Sequence, residues 1–114
     1  MKINGSNVTI MVKNMDQSIR FYQNLGLELK QRWDNHYAML AAEGITLGLH
    51  PSDGEKTGSG STSIGFFIEK IEDAKALLQE HQIECNHEDD GKSGIYLHFT
   101  DPDGTILYFV QPKW

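Results

Sequence analysis

The sequence predicts an α+β chain made of two βαβββ modules, and three observations predict it. Short alternating apolar runs are interrupted by two helical stripes. The order of these elements occurs twice. The two halves also superpose: Val12 meets Ile68 at an offset of 56, and Val8, Ile10, Phe21 and Tyr22 then meet Ile64, Phe66, Leu77 and Leu78. Further on, Gly44 to Leu49 meets Gly104 to Phe109 at an offset of 60. This is the signature of a duplicated unit of about 55 residues. Such a unit buries one face of a small sheet against one helix and cannot close a core alone. Module 1 is expected over 1–55 and module 2 over 60–114, as one domain joined by a linker over 51–62.

Each element has a local reason. Val8, Ile10 and Val12 alternate with Asn7, Thr9 and Met11, a strand with one apolar face. Asn14 followed by Gln17 is a capping-box start. Met15, Ile19, Tyr22 and Leu25 then form a helical stripe that Gly26 ends. Leu27–Trp33, Tyr37–Ala42 and Ile45–His50 read as strands, separated by Asp34-Asn35 and Glu43-Gly44. Pro51 to Thr62 is rich in Gly, Ser, Asp and Lys and reads as a linker or loop.

In the second half, Ile64, Phe66 and Ile68 alternate, and Ile71, Ala74, Leu77/Leu78 and His81 make the second helical stripe. Lys70 and Gln82 are poor choices for the two ends of that helix. Ile83–Asn86 is expected as a short strand and Asp89–Lys92 as a turn. Gly94–Thr100 and Thr105–Val110 are the final hairpin. Its turn is Asp101-Pro102-Asp103-Gly104: Pro102 presets φ, Asp101 can bond the backbone two residues on, and Gly104 accepts positive φ.

The composition narrows function. The chain has 114 residues, 39% hydrophobic and 23% charged, which suits one folded domain. A net charge of −6 opposes DNA, RNA or anionic lipid as partner. No run approaches the roughly 20 apolar residues of a membrane span, and Met1-Lys2-Ile3-Asn4-Gly5 opens no signal peptide. The single Cys85 excludes an internal disulfide and fits a reducing, cytoplasmic location.

Val12-Lys13-Asn14-Met15-Asp16-Gln17-Ser18, Phe21-Tyr22 and Leu25-Gly26-Leu27 carry a resemblance, as do Ile64–Ile68, Ala74 with Leu77, and Asp101–Gly104. On these residues the chain resembles the vicinal oxygen chelate superfamily, which contains glyoxalase I, bleomycin-resistance proteins, fosfomycin-resistance enzymes and extradiol dioxygenases. The resemblance implies two βαβββ modules whose sheets curl into an open barrel around a cavity. Metal-dependent members of that superfamily take His, Glu or Gln ligands from four strand positions. Those positions fall here on Asn7, Gly48, Ser63 and Tyr108. Such a set is too weak for a divalent cation, so no metal and no other cofactor is expected.

Strand parity then gives the cavity wall. Asn7, Thr9 and Met11 share a face, as do Tyr37 and Met39, Gly48 and His50, Ser63, Gly65 and Phe67, Tyr96, His98 and Thr100, and Ile106, Tyr108 and Val110. Trp33 closes its strand near the mouth. Candidate ligand contacts are therefore Asn7, Thr9, Trp33, Tyr37, Gly48, His50, Ser63, Phe67, His98 and Tyr108. Gly48 and Gly65 read as strand glycines at a bend of a curled sheet and, compatibly with that, as places kept clear for a ligand's flat body. His50 and His98 are the catalytic candidates, each equally readable as a polar strand residue. His36, His81 and His87 read as surface. The functional expectation is a metal-free binder of a small, partly aromatic molecule, acting as a homodimer. The alternative is a glyoxalase-type lyase, isomerase or transferase with relocated metal ligands, or with His50 as acid–base.

Overall fold

A computed structural model describes the chain except for Met1, Ile3, Gly5, Asp53, Lys56, Ser59 and Ser61. Expectations that touch those seven, at the amino-terminus and in the linker, lie outside the described residues. Two compact units are present, Met1–Gly58 and Ser59–Trp114.

The first unit contains β1 (Val8–Val12), α1 (Met15–Leu25), β2 (Glu28–Trp33), β3 (Tyr37–Ala42) and β4 (Ile45–Pro51). Its sheet has the order β1-β4-β3-β2. β1 runs parallel to β4, and the other pairs are antiparallel. Asn14 caps α1 as expected: its Oδ1 accepts from the Gln17 amide at 3.0 Å. Gly26 ends the helix at φ 114°, in the left-handed region. The helix buries Met15, Ile19 and Tyr22 with Ile10, Val12, Ala38, Leu40, Leu47 and Leu49. Full burial of one such side chain contributes about 1.5–3 kcal/mol before entropy is counted. Val8, at the start of the apolar row, is 40% exposed, so the row fades at its first residue. An Arg32–Asp16 ion pair at 2.7 Å ties β2 to α1.

The second unit contains β5 (Ser63–Phe67), α2 (Ile71–Glu80), β6 (His87–Asp90), β7 (Gly94–Thr100) and β8 (Ile106–Pro112). Its sheet order is β5-β8-β7-β6, the same arrangement as in the first unit. The duplication extends to the register. Val8 lies opposite Leu47, and their counterparts Ile64 and Leu107, at offsets of 56 and 60, lie opposite one another. The chain is thus an α+β protein of two βαβββ modules with two four-stranded mixed sheets.

The Asp101 turn is built as its residues require. Asp101 is buried, and its Oδ1 accepts from the amides of Asp103 at 2.9 Å and Thr105 at 2.8 Å. Gly104 has φ 85°, and its amide donates to the Asp101 carbonyl. On β8, Leu107 and Phe109 are buried, against Leu97 and Phe99 of β7.

Several boundaries differ from expectation. β2 begins at Glu28, with Leu27 buried before it. β4 extends through Pro51, and Gly58 bridges back to Met11, so part of the expected linker is tied to the edge of β1. β5 ends at Phe67, although the Ile68 amide still donates to the Val110 carbonyl. The largest correction is β6. Ile83–Asn86 is not a strand; the strand is His87–Asp90, which takes in the first two residues of the expected Asp89–Lys92 turn. The turn comes later, closed by the Gly91 amide on the Gly94 carbonyl, and that sets the register with β7. Among the described residues, no helix is long and apolar enough to cross a membrane.

Candidate functional site

In each module one sheet face carries the helix and the other carries the residues singled out by parity. In module 1 that second face centres on Tyr37. Its phenol oxygen accepts from the Asn7 side-chain amide at 3.0 Å and lies 3.0 Å from the Thr9 hydroxyl. The Trp33 ring sits beside it, centroids 5.7 Å apart and tilted by 48°. Asn7, Thr9, Trp33, Tyr37 and Gly48 therefore form one cluster.

Gly48 is buried beneath this cluster. A Cβ placed on it would run into the Tyr37 phenol and the Thr9 hydroxyl. So the room left by the missing side chain is filled by the chain's own tyrosine. Module 2 has a similar fit on a different pair of strands. There Gly65 is on β5, directly opposite Tyr108 on β8, and a Cβ on Gly65 would strike the Tyr108 ring. The reading of these glycines as space for a ligand's flat body gives way to a glycine–tyrosine fit inside the protein.

His50 is exposed at the end of β4. Its Nδ1 lies 2.8 Å from the Pro51 carbonyl oxygen. A carbonyl only accepts, so Nδ1 carries the hydrogen, and in the neutral ring Nε2 is left as the acceptor. This holds the imidazole to its own backbone, as in the strand-end reading.

Module 2 presents a run of rings. Tyr96 and His98 stack at 6.1 Å with 16° between planes. Tyr108 lies 5.7 Å from each of them. The Tyr96 hydroxyl is 2.8 Å from the Ser93 hydroxyl. His98 is half-buried in this group. His87, read from sequence as a surface loop residue, stands opposite His98 in the β6–β7 ladder, rings 5.6 Å apart. It is exposed, but it belongs to the ring group that sequence reasoning assembled without it. Alternation carried through a strand at His87–Asp90 would have found it. Ser63 and Phe67 lie on β5, both exposed, and Phe67 meets the Trp114 ring edge-on at 5.8 Å.

The helix side of module 2 has a separate groove of about 380 Å³, floored by Leu78, Ile83 and Leu97. Lys75 and Glu88 pair across its rim at 2.7 Å. The Glu88 carboxylate raises the Lys75 pKa above its ordinary value. Cys85 is on the same rim, exposed, with its thiol donating to the His87 carbonyl at 3.4 Å. Among the described residues, no three His, Cys, Asp or Glu side chains converge.

Residues 6–109 match the family model described as the Glyoxalase/Bleomycin resistance protein/Dioxygenase superfamily. An uncharacterized protein of Mycolicibacterium smegmatis is 40% identical over 111 residues, covering 92% of this chain and 90% of that protein. A glyoxylase/bleomycin resistance protein/dioxygenase domain from Frankia superposes with a TM-score of 0.78 at 20% identity, covering 99% of this chain and 100% of that one. A fosfomycin resistance protein from Listeria monocytogenes, complexed with Mn(II) and 1S,2S-dihydroxypropylphosphonic acid, superposes with a TM-score of 0.82 at 18% identity. That match covers 98% of this chain and 93% of the Listeria protein. At such identities the structural likeness speaks for the fold alone.

Proposed function

The chain belongs to the glyoxalase/bleomycin resistance protein/dioxygenase superfamily, and within it we propose that this protein binds a small, planar, partly aromatic molecule without a metal at the superfamily's ligand positions. The observation that carries the reading is the Asn7–Tyr37–Thr9 cluster over Gly48. Where a metal-dependent relative needs strong donors, this chain has a neutral amide donating to a phenol, and a glycine overlain by that phenol. Ser63 is a neutral hydroxyl, and the Tyr108 ring lies over Gly65. These residues do not fit a divalent cation, which calls for imidazole, carboxylate or thiolate at most of its positions.

What the same faces offer is ring surface with a few hydroxyl and amide groups. Trp33 and Tyr37 supply it in module 1; Tyr96, His98, Tyr108 and Phe67 supply it in module 2. Aromatic rings of this kind stack on flat ligands, and the polar tips orient them. Affinity then comes from apolar burial, and the protein acts by sequestration as a cytoplasmic homodimer.

The test pairs binding with metal content. Protein purified without chelator is screened against planar aromatic ligands by native mass spectrometry, before and after exhaustive chelation, and its metals are measured. The expected result is binding that survives chelation unchanged, with no stoichiometric Zn, Ni, Mn or Fe. Binding lost on chelation and restored by one of those ions would sink the proposal.

A further inference from the structure

We infer that His87 and His98 form a two-imidazole site for Cu²⁺ on β6 and β7. The site uses none of the four superfamily ligand positions, although Tyr108 packs against His98, and it does not depend on the binding role proposed above. The two histidines are directly opposed in an antiparallel ladder, so their side chains leave the same face of the sheet. Their ring centroids are 5.6 Å apart. Two imidazoles on one ion at ordinary metal–nitrogen distances have centroids about 4.5 Å apart at the right angle of a tetragonal Cu²⁺ site and about 5.2 Å apart at a tetrahedral angle. The observed separation is wider than either, and exposed His87 has to turn toward His98 to close the chelate.

The surroundings favour a cation. β6 reads His-Glu-Asp-Asp, and by alternation Asp89 leaves the strand on the same side as His87. Two nearby positive charges are already engaged: Lys75 with Glu88 and Lys113 with Asp90. His98 is held by stacking on Tyr96 and contact with Tyr108, so one donor is fixed while exposed His87 can turn toward the ion. With two protein donors the remaining positions fall to water. Copper leads because imidazole sites follow the Irving–Williams order.

The chelate spans two strands that come apart on unfolding, so the ion stabilises the folded chain. Tag-free protein is titrated with Cu²⁺, followed by electron paramagnetic resonance and by thermal unfolding. One equivalent is expected to bind with hyperfine splitting from two nitrogens and to raise Tm. His87→Ala, an exposed change that leaves the sheet intact, is expected to weaken binding by about tenfold or more and abolish the Tm rise. His98→Gln is expected to do the same, while His36→Ala binds like the parent. Equal stoichiometric binding by His87→Ala, or a parent spectrum with fewer than two nitrogens, would overturn the site.

Discussion

Tyr37 and Gly48 make a pair that neither residue specifies alone. A methyl group on Gly48 meets the phenol and the Thr9 hydroxyl, so Gly48→Ala must push Tyr37 off its hydrogen bonds with Asn7 and Thr9. Overpacking of this kind costs about 1–3 kcal/mol. Tyr37→Ala removes the obstacle, so Gly48→Ala made in that background is expected to cost less than in the parent. A double-mutant cycle in urea reads the coupling; simple additivity of the two losses would show that the ring does not rest on the glycine. The sequence placed Tyr37 and Gly48 on one face through the period of two. It did not show that the ring fills the glycine's place, because that depends on the offset between β3 and β4, and no local pattern encodes it. Thr105 makes a related point. It is fully buried, and its hydroxyl has no partner within the described residues, although the turn around it was fully legible.

The elements were legible where side chains act on their own backbone. Asn14 and Gly26 mark α1 by capping chemistry, and the Asp101 turn by its own carboxylate. β6 was misplaced because apolar Ile83 and Cys85 suggested a strand, whereas the true edge strand is fully exposed, polar and without periodicity. His87 was lost from the candidate site for the same reason. α2 has the poorer ends that its sequence indicates. Lys70 gives no side-chain cap, and the Ile71 amide instead donates to the Gln111 side chain at 2.8 Å from β8. Just past the helix, Gln82 holds φ 57°, where a non-glycine residue is strained. Gln82→Gly and Lys70→Ser are therefore expected to stabilise the chain by about 0.5–1 kcal/mol each. Both shift the urea midpoint upward with m unchanged; a fall in the midpoint for either would contradict the account of that helix end.

At the scale of the whole molecule, the duplication was plain in the sequence and the way side chains fill the second sheet face was not, since faces follow from parity but occupancy does not. Each unit is close to 55 residues, and at that size folding hides only about 60% of the chain's surface. Each has a helix on one sheet face only. Large apolar groups remain outside: Phe67 is 70% exposed, Trp33 43% and Ile106 42%. In the proposed homodimer a second copy of the chain covers such groups, and the acidic net charge of −6 is modest enough to permit it. The expected mass by native mass spectrometry is therefore twice 12.9 kDa. Association and folding are then linked, so Tm should climb as protein concentration is raised about a hundredfold. A 12.9 kDa species whose Tm ignores concentration would rule out the homodimer.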